Sequence, residues 1–137
     1  MRSFDDAARV LGDLELRVME VLWEAAEAAE TAEPLPVREV QRRISRGRLA
    51  YTTVMTTLDR LYKKRLLARE KVGLAYIYRP ALDRAEYQRR VVEAALAPLL
   101  EHGSSAVLAA FVDVAAGADA KNLRQLETLI AARRKRR

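Results

Sequence analysis

The chain has 137 residues, half of them hydrophobic and none of them cysteine, which allows one domain of ordinary size or two very small ones and excludes disulfides, thiolate metal sites and a cysteine nucleophile. The first ten residues, MRSFDDAARV, hold no apolar signal core, and no apolar run reaches membrane-spanning length, so a cytoplasmic protein without membrane insertion is expected. The net charge of +6 is concentrated: residues 36–79 carry 12 basic and 3 acidic side chains, whereas residues 1–35 carry 3 basic and 9 acidic ones. A segment that positive repels itself unless it meets a polyanion, and nucleic acid is the simplest one. An anionic membrane would need an exposed apolar face beside the cations, which the segment lacks. Few glycines and prolines (5 and 4) favour a mainly helical fold over a turn-rich β fold.

In chain order, residues 1–10 read as a frayed or short lead-in. Asp13 can cap a helix that runs to about Ala29, with Leu14, Val18, Val21, Leu22 and Ala25 on one stripe and Leu16, Met19 and Trp23 nearly opposite. Two apolar faces predict a sandwiched helix, with Trp23 as packing rather than a ligand platform. The acidic, Ala-rich tract 24–33 prolongs it until Glu33-Pro34. Leu35-Pro36 is short and extended, consistent with a small edge strand. A second helix follows from Val37 to about Ser45, with Val37, Val40, Gln41 and Ile44 on one face and Arg38, Arg42 and Arg43 around the other. In the turn Arg46-Gly47-Arg48, Gly47 can take the left-handed conformation that a helix–helix turn needs.

The stretch AYTTVMTTLDRLYKKR, 50–65, is the informative one. At 100° per residue Val54, Leu58 and Leu61 share one stripe, while Thr52, Thr56 and Lys63 lie opposite, flanked by Thr53, Asp59 and Arg60. Hydroxyls are mediocre helix formers. A face of threonines backed by cations is either a plain polar surface or a surface made for a major groove. There Thr can meet base edges, phosphates and the thymine methyl, and Lys and Arg can take phosphates or guanine. Helix, Gly-containing turn and groove-facing helix together read as a helix-turn-helix.

From Leu66 the period changes to two. Leu67, Arg69 and Lys71 alternate with Ala68, Glu70 and Val72, and after Gly73-Leu74 the residues Ala75, Ile77 and Arg79 alternate with Tyr76 and Tyr78. This predicts a β-hairpin wing. Arg69 or Lys71 can reach phosphate, and the tyrosines can either bond phosphate or sit half-buried. Asp83-Arg84-Ala85-Glu86 fits a capping box for a helix with Tyr87, Val91, Ala94 and Ala95 on one side. Pro98 predicts a kink or break. Gly103-Ser104 ends that segment and can cap the next, Ala106–Val114 is almost wholly apolar, Gly117 breaks it, and Asp119 can cap a last helix striped by Leu123, Leu126, Leu129 and Ile130. Three short apolar helices cannot bury themselves alone. They predict a two-fold dimer interface. The terminal RRKRR is either a solvated tail at a helix C-terminus or a DNA contact.

The segments LGDLELRVMEVLW (11–23), PVREV (36–40), AYTTVMTTLDRLYKKRLL (50–67) and GLAYIYRPALDRAEY (73–87) together resemble the penicillinase-repressor family, the BlaI/MecI group, in order and spacing over residues 11–132. The resemblance implies a mainly α protein. A winged helix-turn-helix with a small β-hairpin wing, residues 1–80, would precede a C-terminal helical dimerisation region with a basic tail, residues 81–137. It implies a dimeric repressor on an inverted-repeat, double-stranded DNA operator, controlling β-lactamase or cell-envelope genes and hence antibiotic resistance. A membrane sensor protease would relieve it by cutting in the dimerisation region. Thr53, Thr56 and Arg60 match the family's recognition-helix positions and Arg38 falls on its second helix. The DNA-binding candidates are then Arg38, Arg48, Tyr51, Thr52, Thr53, Thr56, Arg60, Lys63, Arg69 and Lys71. The dimerisation candidates are Tyr87, Val91, Leu108, Phe111, Leu123, Leu126, Leu129 and Ile130. The cleavage position falls at Ala110-Phe111, where many members have Asn before the Phe. A related copper-responsive branch carries a cysteine motif; with no cysteine and only His102, this chain is not that kind of sensor.

Three functions compete: a DNA-binding repressor, a winged-helix regulator released by a small-molecule effector, and a winged-helix protein-interaction module. An enzyme is not expected, nor a cofactor or metal. His102 stands near a helix end, no serine sits in a nucleophile elbow, and no carboxylate pair is placed for acid–base work.

Overall fold

The computed structural model describes residues 11–28, 33–103 and 105–136. The expected lead-in at 1–10, residues 29–32 of the acidic tract, the cap at Ser104 and the terminal Arg137 lie outside the described residues. The described elements are α1 (Asp13–Ala28), β1 (Leu35–Pro36), α2 (Val37–Arg43), a 3-10 turn (Ile44–Gly47), α3 (Tyr51–Lys63), β2 (Leu67–Val72), β3 (Ala75–Pro80), α4 (Arg84–Glu101), α5 (Ser105–Ala118) and α6 (Lys121–Lys135). The fold is a winged helix followed by C-terminal helices. Two compact units divide between Ala94 and Ala95, later than the boundary after Pro80 expected from the end of the wing.

In the first unit the helical periodicities become one core. Val18, Met19 and Leu22 of α1, Val40 of α2, and Val54, Leu58 and Leu61 of α3 are all buried. The stripe anticipated for α3 is fully inside, and Thr57 joins it, its hydroxyl donating to the Thr53 carbonyl at 2.8 Å. The sandwiching of α1 is also observed: Met19 and Trp23 are buried, while Leu16 remains exposed. The Trp23 indole donates to the Leu82 carbonyl at 3.1 Å, and its ring lies 5.3 Å from that of Tyr87. Asp13 opens α1, but the near contact at its entry is the Gly12 N–H to Glu15 Oε1, at 3.4 Å.

The sheet has strand order β1-β3-β2, antiparallel throughout. Leu35 and Pro36 pair with Tyr78 and Ile77, so the edge strand supports only the middle of β3 and leaves the tip of the hairpin two-stranded. Val72 pairs with Ala75 across the Gly73-Leu74 turn. Gly73, at φ +64°, supplies the positive φ that a two-residue hairpin turn requires.

Helix α3 ends without glycine. The Leu66 N–H returns to the Leu61 carbonyl at 3.0 Å and the Arg65 N–H to that of Tyr62 at 2.9 Å, with Arg65 left-handed at φ +66°. This is a Schellman stop, and its accompanying apolar contact is the buried pair Leu61 and Leu66.

Two expectations about α4 change. The Asp83 carboxylate accepts from the Glu86 N–H at 2.8 Å, but Glu86 turns outward to Arg89 and Arg90, so only half of the capping box forms. The helix runs through Pro98 to Glu101, so of the expected kink or break the break does not occur. Proline removes one donor to the Ala94 carbonyl, which a helix with solvent access can tolerate.

In the second unit α5 and α6 contain no buried residue among those described. Asp119 accepts from the Lys121 N–H at 2.9 Å at the entry to α6, and the Asn122 amide donates to the Ala115 carbonyl, joining the two helices.

Candidate nucleic-acid interface

Burial of Val54, Leu58 and Leu61 fixes the roll of α3, so its other side must face out. Thr52, Thr53 and Thr56 are exposed there, with Tyr51 at the first turn and Arg60 toward the end. The Thr hydroxyls thus meet solvent because the opposite stripe has a core to enter. Position along the chain is set by the turn before it. Arg46 and Gly47 are left-handed, at φ +56° and +77°, and the Gln41 side chain donates to the Leu49 carbonyl at 2.9 Å, tying α2 to the entry of α3. Ala50 offers no side-chain cap, which leaves first-turn N–H groups available to an anion at the positive end of the helix.

The cations differ in availability. Arg48, Arg60 and Lys71 are exposed and, among the described residues, carry no ion pair. Arg38 is exposed with its guanidinium 5.7 Å from the Tyr51 ring centroid, so it borders the start of α3. Arg42 and Arg43 both engage Glu39 at 3.0 Å. Lys63 reaches Asp59 at 2.9 Å, yet its side chain is 71% exposed, and it can exchange that partner for a phosphate.

Arg69 departs from expectation. Read from sequence as a phosphate contact, it is instead only 17% exposed and held on every side. Its Nη1 donates to Asp59 Oδ1 at 2.9 Å and lies 3.4 Å from the Tyr78 hydroxyl. The guanidinium stands 3.8 Å from the Tyr62 ring centroid and 4.0 Å from that of Tyr76. The Lys63 ammonium and, with it, the Arg69 guanidinium hold the Asp59 carboxyl below the usual carboxylate range. Of the wing tyrosines, Tyr78 is buried and Tyr76 exposed, so the half-buried reading fits the first better than a phosphate role.

The reasons sequence reading missed this cluster are geometric. Arg69 meets Tyr78 only through the β2–β3 register, and Tyr62 enters from the last turn of α3. Tyr87 and Val91, expected at a dimer contact, are placed in the first unit: Tyr87 is buried against Trp23, and Val91 packs against the same core. Arg84 reinforces that seam, bonding Glu20 and Glu27 of α1 and lying 5.3 Å from the Trp23 ring centroid. The remaining dimerisation candidates fall in the second unit. Leu108, Phe111, Leu123, Leu129 and Ile130 are exposed and Leu126 is half-buried. Ala110 and Phe111 sit in the middle of α5, a fully helical stretch.

No helix among the described residues is long and apolar enough to cross a membrane. The profile of the family described as "Penicillinase repressor" matches residues 11–132. The chain is 40% identical over 117 residues to the protein named "Transcriptional regulator BlaI" from Mycobacterium tuberculosis strain CDC 1551 / Oshkosh, and equally to its namesake from strain ATCC 25618 / H37Rv. In each case the match spans 84% of this chain and 80% of the relative.

Proposed function

The chain belongs to the penicillinase repressor family, and on that premise we propose that this BlaI-type, non-enzymatic transcriptional repressor binds an inverted-repeat operator as a homodimer in the cytoplasm. One observation carries the reading: the exposed Thr52, Thr53, Thr56 face of α3, accompanied by Arg48 and Arg60, which carry no ion pair among the described residues, lies opposite a fully buried stripe. The helix has one side for the core and one for a groove. Thr53, Thr56 and Arg60 read base edges, while Arg38, Arg48, Tyr51, Thr52, Lys63 and Lys71 hold phosphates. Two such helices must lie about 34 Å apart to enter successive major grooves on one face of the duplex. The exposed apolar side chains of α5 and α6 make the dimer that sets this spacing. Repression follows by steric occlusion of a promoter, with β-lactamase or cell-envelope genes as targets.

Relief follows when a membrane sensor protease cuts Ala110-Phe111. The cut severs α5 and removes Leu123, Leu126, Leu129 and Ile130 from the reading head. A helical bond must open locally before any protease reaches it, so the rate of cleavage reports the opening of α5. A groove of about 540 Å³ lined by Leu11, Leu16, Glu20, Trp23, Tyr87, Gln88, Val91 and Val92 favours effector release as the second reading. Trp23 is the sole tryptophan, so its fluorescence on titration with candidate effectors separates the two.

The test is genome-wide DNA pull-down with the native protein, followed by titration of the recovered duplex. If a dimer neutralises roughly 6–10 phosphates, affinity falls about 10³–10⁵-fold between about 50 and 200 mM salt. A flat log–log salt plot removes nucleic acid as the partner.

A further inference from the structure

The wing has a mechanical problem. Beyond Ile77 and Tyr78 the edge strand β1 gives no support, and the hairpin continues to its tip as two strands. A two-stranded hairpin in water is marginal by itself. Any cation it carries toward DNA is only as well placed as the hairpin.

Arg69 stands where that support ends, directly opposite Tyr78. Its guanidinium is layered between Tyr62 of α3, 3.8 Å away, and Tyr76 of β3, 4.0 Å away, and its edge bonds Asp59 of α3 at 2.9 Å. Two of these partners belong to the reading helix and one to the distal wing. Planarity is what lets a guanidinium do this: it stacks on both faces and donates at its edge, whereas an ammonium cannot stack. Lys71 lies two residues further on the same face of the wing and, among the described residues, carries no ion pair.

We propose that Arg69 is a positioning residue that latches the wing to α3 and thereby sets the separation between the Thr53/Thr56 face and Lys71. The proposal rests on the DNA-binding reading for its consequence, but the latch itself is a property of the free protein. Arg69 contacts no phosphate. To reach one it would leave two rings and a carboxylate.

Two readouts test it on the full chain. In the protein without DNA, amide hydrogen exchange over residues 70–76 should quicken about tenfold in Arg69→Lys, the scale of a lost cation–π contact, with α1 amides unchanged. Tyr62→Leu, which removes one ring and keeps the arginine, should do the same and covers the case in which Arg69→Lys fails to fold. On the recovered operator duplex, Lys71→Ala should weaken the parent several-fold and the Arg69→Lys protein hardly at all, because an unlatched wing no longer presents Lys71. Unchanged wing exchange in both variants overturns the latch. Quickened exchange with independent, multiplying losses for Arg69 and Lys71 overturns the positioning role. A parent protein that binds no duplex overturns the DNA reading instead, and the exchange result still decides the latch.

Discussion

Val54, Leu58 and Leu61 in α3 are wholly buried, whereas Leu108, Val114, Leu129 and Ile130 in α5 and α6 stand 55, 73, 65 and 52% exposed. Both regions are helical and rich in aliphatics, so propensity does not separate them. What separates them is the number of elements that can converge. The first unit brings four helices and a sheet onto one core. Among its described residues the second has the end of α4 and two short helices joined by Asp119 and Asn122, and α5 carries a single charged residue, Asp113. Apolar area that a short unit cannot cover from within is left for a partner. The first region therefore shows cations and hydroxyls over a hydrocarbon core, whereas the second leaves hydrocarbon exposed beside the cations of α6.

The largest effect that could break this comparison comes from charging the second region. Leu108→Asp with Ile130→Asp should leave the winged helix folded and abolish the proposed dimer. Operator affinity should then drop roughly 10²–10⁴-fold, the scale of losing a linked second site. Sedimentation and gel shift read the two losses together. A doubly charged protein that stayed dimeric and kept its affinity would mean that the exposed face is not the interface.

A matched pair of truncations sharpens the contrast. Leu58→Ala should destabilise the first unit by about 2–5 kcal/mol, because it empties a closed core. Leu129→Ala, at concentrations where the protein is monomeric, should cost within about 0.5 kcal/mol, as for a surface substitution. Urea denaturation measures both. Similar costs at the two positions would show that α6 has a core of its own.

Within the first region the same logic divides the exposed face. Thr56→Ala should lose about 1–3 kcal/mol on operator and much less on a scrambled duplex. Lys71→Ala should weaken both alike. Equal losses for Thr56→Ala on the two duplexes would move that hydroxyl from base reading to phosphate.

Much of this was legible because periodicity reports burial directly. The α3 stripe, the Gly47 turn and the Gly73-Leu74 hairpin all follow from spacing and from positions that need positive φ. What was not legible depends on which surface meets which. Tyr87 and Val91 form an apolar stripe that would suit a dimer as well as α1; only the placement of Trp23 and Arg84 assigns them to the first core. Arg69 reads as a wing cation until the strand register and the last turn of α3 surround it. Pro98 would break many helices, yet α4 continues through it. Among the proposed DNA contacts, the exposed Thr face followed from sequence, but the difference between the occupied Arg69 and the available Lys71 did not.

The smallest effect concerns how α3 stops. Arg65 is the left-handed residue of the Schellman turn, at φ +66°, where a Cβ is unfavourable. Arg65→Gly should therefore stabilise the first unit by about 1 kcal/mol, offset in part by the greater freedom of glycine in the unfolded chain. The substitution also removes a cation from a segment dense in them, and relief of repulsion could mimic the gain. Arg65→Ala separates the two causes, since it discharges the site and keeps the Cβ. If conformation decides, Ala gives no gain and Gly does, and the difference persists at high salt, where surface repulsion is screened. If both variants gain equally, and the gain fades with salt, charge crowding around α3 is the cause. That result would extend the contrast between the two regions: the face shaped for a polyanion would itself be a source of strain in the first unit, as the uncovered apolar face is a liability in the second.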